Sequence, residues 1–393
     1  MKKLTILIAA VALVCFSVPA MAVDWNFYGN ARIATYYVSD DYGDGLNAAG
    51  TSDDDAELQW DMQGNSRVGA NIKAENLKAQ FEFGVSSDSG GGGNVSARRL
   101  YGEWKFGDDM FLRVGKEYTP VSQFTSGQVY DADLGLLGIG TQYGNREAQV
   151  AFGFGNFEIA LIQPHVEYIE GLQATSTTSF AGTLGTTPIN VTTDIPANGD
   201  PDRVLPKFEA KWGMSFDAWN FNLQGGYQYY SISDVTSAKD GKTNDLDVTS
   251  YTLGADVGFN FGPAYVKAAG AYGQNWDNAA WALGGNHNQG SPAVWDGDDD
   301  VKDTTSWMAS LVAGLKVSDM LSFEGGFGYR SDDPDVNGSK KSEPWAVYVQ
   351  SVIALAPGVY VIPEIGYFDG DQDFAGDDAT TTFYAGGKWQ INF

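Results

Sequence analysis

The sequence is poor in several residue types on which common protein functions depend. It has one cysteine, two histidines and only 24 basic residues against 50 acidic ones, a formal net charge of −26. The single cysteine, Cys15, lies in the N-terminal apolar stretch, so the rest of the chain has no disulfide, no cysteine-based metal site and no cysteine nucleophile. The scarcity of Lys and Arg argues against nucleic-acid binding, which requires clustered positive charge.

Long apolar runs are also missing beyond the N-terminus. After residue 22 there is no run of about 18 apolar residues, which excludes a helical membrane span. Residues 1–22 combine a basic start, an apolar stretch and the small-residue site Ala20-Met21-Ala22, the pattern of a secretory signal peptide. We therefore expect residues 23–393 to be exported past the inner membrane, where the only other bilayer is the outer membrane.

Aromatic residues and alternating hydrophobicity are abundant instead. The chain has 22 Phe, 20 Tyr and 11 Trp. At the C-terminus, for example, Trp389, Ile391 and Phe393 alternate with Gln390 and Asn392. Alternation of this kind predicts strands with one apolar and one polar face. A soluble β-sandwich shows the same pattern, so the connections must distinguish the two architectures.

The connections fall into two length classes. Seven short turns lie at 75–76, 107–109, 155–156, 217–218, 262–263, 318–319 and 357–358. Eight longer polar loops lie at about 39–56, 86–97, 119–144, 164–203, 232–247, 274–304, 331–343 and 369–379. Fifteen connections separate sixteen strands, and aromatic residues flank several short turns, as in the girdles at membrane interfaces. The sequence thus predicts an all-β transmembrane antiparallel β-barrel with short periplasmic turns and long extracellular loops, wide enough for an aqueous lumen.

Over residues 23–393 the chain resembles the trimeric porins of Gram-negative outer membranes. The resemblance rests on the signal peptide, the sixteen-strand rhythm, the terminal aromatic Phe393 and the segment 115–120, Gly-Lys-Glu-Tyr-Thr-Pro, which is similar to the segment before the third loop of such porins. The sequence looks closest to the homotrimeric porins of sulfate-reducing bacteria. The resemblance implies a homotrimer, and it implies that Phe393 is the signal recognised by the barrel assembly machinery.

The resemblance also implies that the third long loop folds into the lumen and faces basic residues on the wall. The acidic candidates on this loop are Asp131 and Asp133, beside an apolar, Gly-rich run at 134–140. Strand parity places the basic candidates inward: Arg32, Arg67, Lys73, Arg99 and Arg113. Opposed charges across a narrow aqueous gap create a transverse field that filters solutes. Arg98 has outward parity and is left out.

Acidic residues concentrate in the loops. Residues 39–57 contain seven acids and no base, 274–304 contain six acids and one Lys, and 369–379 contain five acids and no base. We expect these loops to hold divalent cations non-specifically, shared with anionic lipopolysaccharide. The spacing at 369–380 does not match a calcium-binding loop, because Phe374 and Thr380 replace the required Gly and Glu. No cofactor is expected.

The sequence predicts a passive diffusion channel for small hydrophilic solutes and ions, rather than an enzyme. Without the leader the chain has 22 basic and 50 acidic residues, a net charge of −28 that predicts a mild cation preference. Three alternatives stay open: a solute-specific channel with a saturable site, a structural barrel with a plugged lumen, and an outer-membrane hydrolase. His165 and His287 lie in loops without a recognisable partner spacing, which makes the hydrolase the weakest of the three.

Overall fold

Backbone pairing joins the described strands into one closed sheet. The computed structural model describes residues 23–42, 54–87, 93–166, 169, 180–184, 187–191, 199–203, 205–282 and 290–393. The predicted signal peptide, His287 and parts of several long loops lie outside these residues. In the part of the chain that is described, no helix is long and apolar enough to cross a membrane.

Sixteen strands form the barrel wall, and each pairs with the next in antiparallel register. They are β1 (Asp24–Asp41), β2 (Asp54–Ala74), β3 (Leu77–Ser87), β4 (Gly93–Lys105), β5 (Met110–Tyr118), β6 (Arg146–Phe154), β7 (Phe157–Ile162), β8 (Lys207–Ser215), β9 (Trp219–Thr236), β10 (Thr243–Phe261), β11 (Ala264–Gln274), β12 (Thr304–Lys316), β13 (Leu321–Pro334), β14 (Trp345–Ala356), β15 (Val359–Asp369) and β16 (Thr381–Asn392). The first strand pairs with the last, from Asn30 opposite Asn392 to Asp41 opposite Thr381. The sheet is therefore closed, and the predicted strand number and fold class are confirmed.

Short strands outside the wall belong to the long connections. Residues 180–184 pair with 187–191, and residues 294–295 pair with 301–302. Residues 200–202 extend the sheet by pairing with β9. A four-residue helical turn, α1 (Tyr130–Asp133), lies in the third long connection. The seven short turns lie where the alternation predicts them, at one end of the barrel.

The strands are apolar outside and polar inside. Apolar side chains on the outer face remain exposed, including Leu100, Val114, Leu253, Leu311, Val349 and Ile365. Polar side chains on the inner face are buried, including Gln80, Glu82, Gln224, Glu324, Gln350 and Glu364. This is the reverse of a soluble β-sandwich, and it follows because lipid surrounds the barrel while its backbone amides are paired between strands.

Candidate functional site

The third long connection, residues 119–145, lies inside the barrel against the wall. Three inward-facing glutamates, on β8, β13 and β15, accept hydrogen bonds from its backbone N–H groups. The pairs are Val121 with Glu209 at 2.8 Å, Gly127 with Glu324 at 2.7 Å, and Val129 and Tyr130 with Glu364 at 2.7 and 3.1 Å. Hydrogen bonds to a carboxylate are among the stronger ones in proteins, so the loop is held at successive points along the wall.

The tip of this loop is packed as well as hydrogen-bonded. Tyr130 stacks on Tyr384 of β16 with ring centroids 3.8 Å apart, and it meets Tyr36 of β1 edge to face. Leu136 and Ile139, from the apolar run of the loop, are buried in the same cluster. Apolar side chains of the loop thus replace water against this part of the wall, which narrows the lumen from one side.

Asp133 binds directly to the basic wall instead of facing it across a gap. Its carboxylate forms salt bridges with Arg32 of β1 and with Lys388 of β16, the second at 2.6 Å. Asn65 of β2 donates a further hydrogen bond at 2.7 Å. Burial of the Asp133 carboxyl tends to raise its pKa, but the Lys388 and Arg32 cations outweigh burial and hold the pKa below its usual value. Asp131 is exposed to the lumen and forms no salt bridge with any described residue.

The other predicted basic residues lie at different heights. Arg67 lines the lumen beside the loop and lies 3.5 Å from Glu82. Arg99 also points inward, where its Nε donates to Glu117 at 3.0 Å. Arg113 and Lys73 lie near the short turns, away from the loop. Arg113 is held by two carboxylates on β4 and β7, and Lys73 has no salt bridge among the described residues.

Strand parity misses one arginine because β4 contains a bulge. Glu82 pairs with Arg99 and Phe83 pairs with Ala97, which leaves Arg98 as an extra residue. A bulge of this kind re-aims side chains. Arg98 therefore lines the lumen and donates to Glu82 at 2.7 Å, although sequence parity assigns it to the outer face.

Arg146 and Lys388 are also absent from the predicted set. Exposed Ala148 and Val150 on β6 suggest an outward direction for Arg146, yet its side chain lines the lumen. It donates to the Tyr118 hydroxyl at 3.1 Å, and no carboxylate in the described structure forms a salt bridge with it. Lys388 has inward parity and could have been found by the rule that selected Arg32.

Together these groups surround a water-accessible cavity of about 850 Å³ between the loop and the opposite wall. Its charged lining comprises five cations and two carboxylates: Arg32, Arg67, Arg98, Arg146 and Lys388, with Asp131 and Asp133. Asp133 is already paired with two of the cations. The charged lining of this cavity therefore carries an excess of positive charge, and positive charge around a water-filled cavity attracts anions.

The outer loops carry charge of the opposite sign, because their cavity lining is acidic. A smaller cavity of about 290 Å³ is lined by acidic side chains: Asp245, Asp247, Asp299, Asp300 and Asp303. In the described parts of the chain, no cluster of three or more His, Cys, Asp or Glu side chains has an arrangement that could hold a metal ion. These carboxylates form a solvated acidic surface.

Comparison with known proteins assigns the chain to a family and identifies solved structures with the same fold. A family model described as Gram-negative porin matches residues 9–373, whereas no curated protein sequence matches. The outer membrane channel DcaP of Acinetobacter baumannii superposes with a TM-score of 0.64 at 16% identity, covering 96% of this chain and 99% of that one. The anion-selective porin from Comamonas acidovorans gives 0.52 at 16%, covering 94% and 100%. OmpT of Vibrio cholerae, folded in vitro and in trimer form, gives 0.53 at 14%, covering 94% and 99%.

Proposed function

Because the chain belongs to the Gram-negative porin family, we propose that it is a passive diffusion channel of the outer membrane for small hydrophilic solutes and ions. The observation that carries this proposal is the closed sixteen-strand barrel with a polar, water-accessible cavity beside the inserted loop. Family and fold point to a channel rather than an enzyme. No step in this mechanism consumes energy, since solutes pass by size and charge alone.

Reconstitution of the purified protein tests the channel directly. We expect stepwise conductance in planar bilayers and, in liposome swelling, uptake that decreases with the size of uncharged sugars. A folded protein that gives neither signal would instead support a structural barrel with a plugged lumen.

The constriction supports a preference for anions. The net charge of the chain predicts a mild cation preference, but the charged lining of the cavity has five cations and two carboxylates, one of which is paired with Arg32 and Lys388. The low-dielectric wall around a water-filled channel focuses the field of lining charges, most strongly where the channel is narrow. Swelling rates for neutral, anionic and cationic solutes of equal size test this proposal, and faster entry of the cationic solute would oppose it.

A solute-specific channel with a saturable site is a second candidate. Phe124 keeps 55% of its surface exposed while it lines the cavity, and it lies edge to face against Tyr118, which Arg146 contacts. An apolar ring beside an arginine in the lumen would retain anions that carry an apolar body. Saturation of uptake by one such anion supports this candidate, and uptake that rises linearly with concentration supports general diffusion.

The C-terminal residue is proposed as the signal for assembly. Phe393 closes the seam through reciprocal backbone hydrogen bonds with Gly29 at 2.7 and 3.0 Å, while its side chain remains 72% exposed on the outer face. An exposed terminal ring is accessible to the barrel assembly machinery. Phe393→Ala keeps both backbone hydrogen bonds, so it should reduce the amount of protein in the outer membrane but spare folding in detergent, and Phe383→Ala on the same strand is the matched control.

We propose a homotrimer as the functional unit. OmpT of Vibrio cholerae, which shares the fold, has a trimer form. Mass determination in detergent and chemical cross-linking in membranes test the proposal, and a monomer in both would refute it.

We also propose that the acidic outer loops bind lipopolysaccharide through divalent cations. Measuring the lipopolysaccharide that the purified protein retains with and without a chelator tests this binding.

A further inference from the structure

The sixth long connection enters the barrel directly after β11. Trp276 and Trp281 have no exposed surface, and Ala282 is only 2% exposed. Indole rings contribute large apolar areas, and they become buried only where a shaped apolar site receives them. We call residues 276–282 the inner segment of the sixth loop. Its short 3-10 helix, Asp277–Ala279, turns the chain toward the third loop.

Glycines in the barrel wall make the space for both indoles. A Cβ atom at Gly226 of β9 would lie 2.4 Å from Cζ2 of Trp281. A Cβ atom at Gly273 of β11 would lie 2.5 Å from Nε1 of Trp276. Both distances are far below van der Waals contact, so an alanine at Gly226 would displace Trp281. An alanine at Gly273 would collide with Trp276 and also with the Tyr251 carbonyl, 2.1 Å from its Cβ atom.

Polar groups of the wall hold the backbone and one indole of the inner segment. Lys207 Nζ donates to the Ala279 carbonyl at 2.8 Å, and Trp281 Nε1 donates to Glu209 Oε1 at 2.8 Å. Lys207 and Glu209 lie on β8 and are buried. Breaking either contact leaves a buried charged group with fewer partners, which makes displacement of the segment costly.

Two buried wall residues bind the third loop and the inner segment at the same time. The second oxygen of Glu209 accepts the backbone N–H of Val121 at 2.8 Å. Arg330 of β13 donates through Nη1 to the carbonyls of Gly138 and Ala282, at 3.0 and 2.9 Å. Each residue therefore ties the position of one loop to that of the other.

We propose that the inner segment of the sixth loop is a brace that fixes the third loop, and that Trp281 and Arg330 are positioning residues that set the pore width without contacting solute. The two loops also meet directly, since the Tyr143 N–H donates to the Trp281 carbonyl at 2.9 Å. Both Tyr143 and Ala282 line the cavity, so a shift of the brace changes the boundary of the lumen. This inference rests on the proposed channel function.

Substitution of Trp281 in the full-length protein tests the brace. Trp281→Ala removes the indole beside Val121 and its hydrogen bond to Glu209. We expect higher single-channel conductance, larger open-state current fluctuations and a shift of the sugar exclusion limit to larger sizes. Trp295→Ala is the matched control, because Trp295 lies in the outer hairpin of the same loop, where its indole donates to the Asp298 carbonyl and packs against the cluster around Tyr230. It should leave all three properties at the wild-type values.

A double mutant separates the brace from a general loss of stability. Gly226→Val alone should displace Trp281 and reproduce the effects of Trp281→Ala. Combined with Trp281→Ala, the same valine occupies part of the vacated space, so conductance and exclusion limit should return toward wild type. If the two substitutions compensate each other, the side chains at 226 and 281 occupy the same space. If each substitution only destabilises the protein independently, their effects add.

Resistance of the folded barrel to SDS at room temperature verifies folding of each variant. Wild-type conductance and exclusion limit in folded Trp281→Ala would overturn the brace. If that variant does not fold, wild-type behaviour of folded Gly226→Val overturns it equally. A wild-type protein that does not conduct refutes the channel function instead, so the two failures are distinguishable.

Discussion

The two halves of the barrel wall use inward charges in opposite ways. On β8–β15, glutamates accept hydrogen bonds from the third loop and are covered by it. On β2–β6, the arginines Arg67, Arg98 and Arg146 face the open cavity. The covered carboxylates contribute little to the potential that a solute meets. The arginines that line the cavity contribute directly, and the shared Glu82 carboxylate offsets part of the charge of Arg67 and Arg98. The net charge of the whole chain therefore does not describe the charge of the passage.

The largest expected effect on conductance comes from releasing the third loop from the glutamates on β8–β15. Glu364→Leu leaves the Val129 and Tyr130 N–H groups without an acceptor, at a cost of about 1–3 kcal/mol for each buried group. We expect the loop tip to leave the wall and single-channel conductance to increase. Glu364→Gln is the control, since the amide oxygen of the glutamine still accepts one N–H. The conductance of this variant should lie between those of the wild type and Glu364→Leu. Wild-type conductance in Glu364→Leu would show that Glu364 does not hold the loop.

A smaller effect, on ion selectivity, is expected from substitution of the arginines on β2–β6. Arg98→Gln and Arg146→Gln each remove one positive charge from the cavity lining, so each should reduce the permeability ratio of chloride to potassium. Lys73→Gln removes the same charge near a short turn and should leave the ratio nearly unchanged. Equal shifts in all three variants would mean that the cavity is not the selective region.

The smallest effect is expected from the loop carboxylate that faces the arginines. Asp131→Asn removes an exposed negative charge from the lining and should raise the chloride preference slightly. Asp373→Asn, in the eighth long loop, is the matched control. Its carboxylate accepts backbone N–H groups of its own loop, so its removal should not change the ratio. A decrease with Asp131→Asn would contradict the assigned geometry.

The strands of the barrel wall could be predicted because the same physical constraint applies to each of them along the chain. Every strand must present one apolar face to lipid and one polar face to water, and each short turn needs residues that tolerate tight geometry. Parity then placed Arg32, Arg67 and Arg99 on the inner face, where the structure has them. Height along the axis has no such signature, so the sequence does not distinguish Lys73 and Arg113, which lie near the short turns, from the arginines beside the loop.

Local irregularities and loop contacts could not be predicted. One extra residue in β4 reverses the direction of Arg98 without altering the composition of the strand. The burial of Trp276 and Trp281 depends on glycines at 226 and 273, one of them about fifty residues distant in the chain. Such complementarity arises only when the barrel closes, so the segment 274–304 looks like an ordinary polar loop in the sequence.

The reversal potential of the wild-type channel in a potassium chloride gradient shows whether the basic lining of the cavity or the acidic mouth controls the passage of ions. Low salt is preferable, because the screening length is about 10 Å at 0.1 M and only about 3 Å at 1 M. If the arginine wall beside the inserted loop controls passage, the potential has the sign of a chloride-preferring channel and declines as salt rises. A potential with the sign of a potassium-preferring channel would rule out control by the arginine wall and would show that the acidic mouth controls permeation.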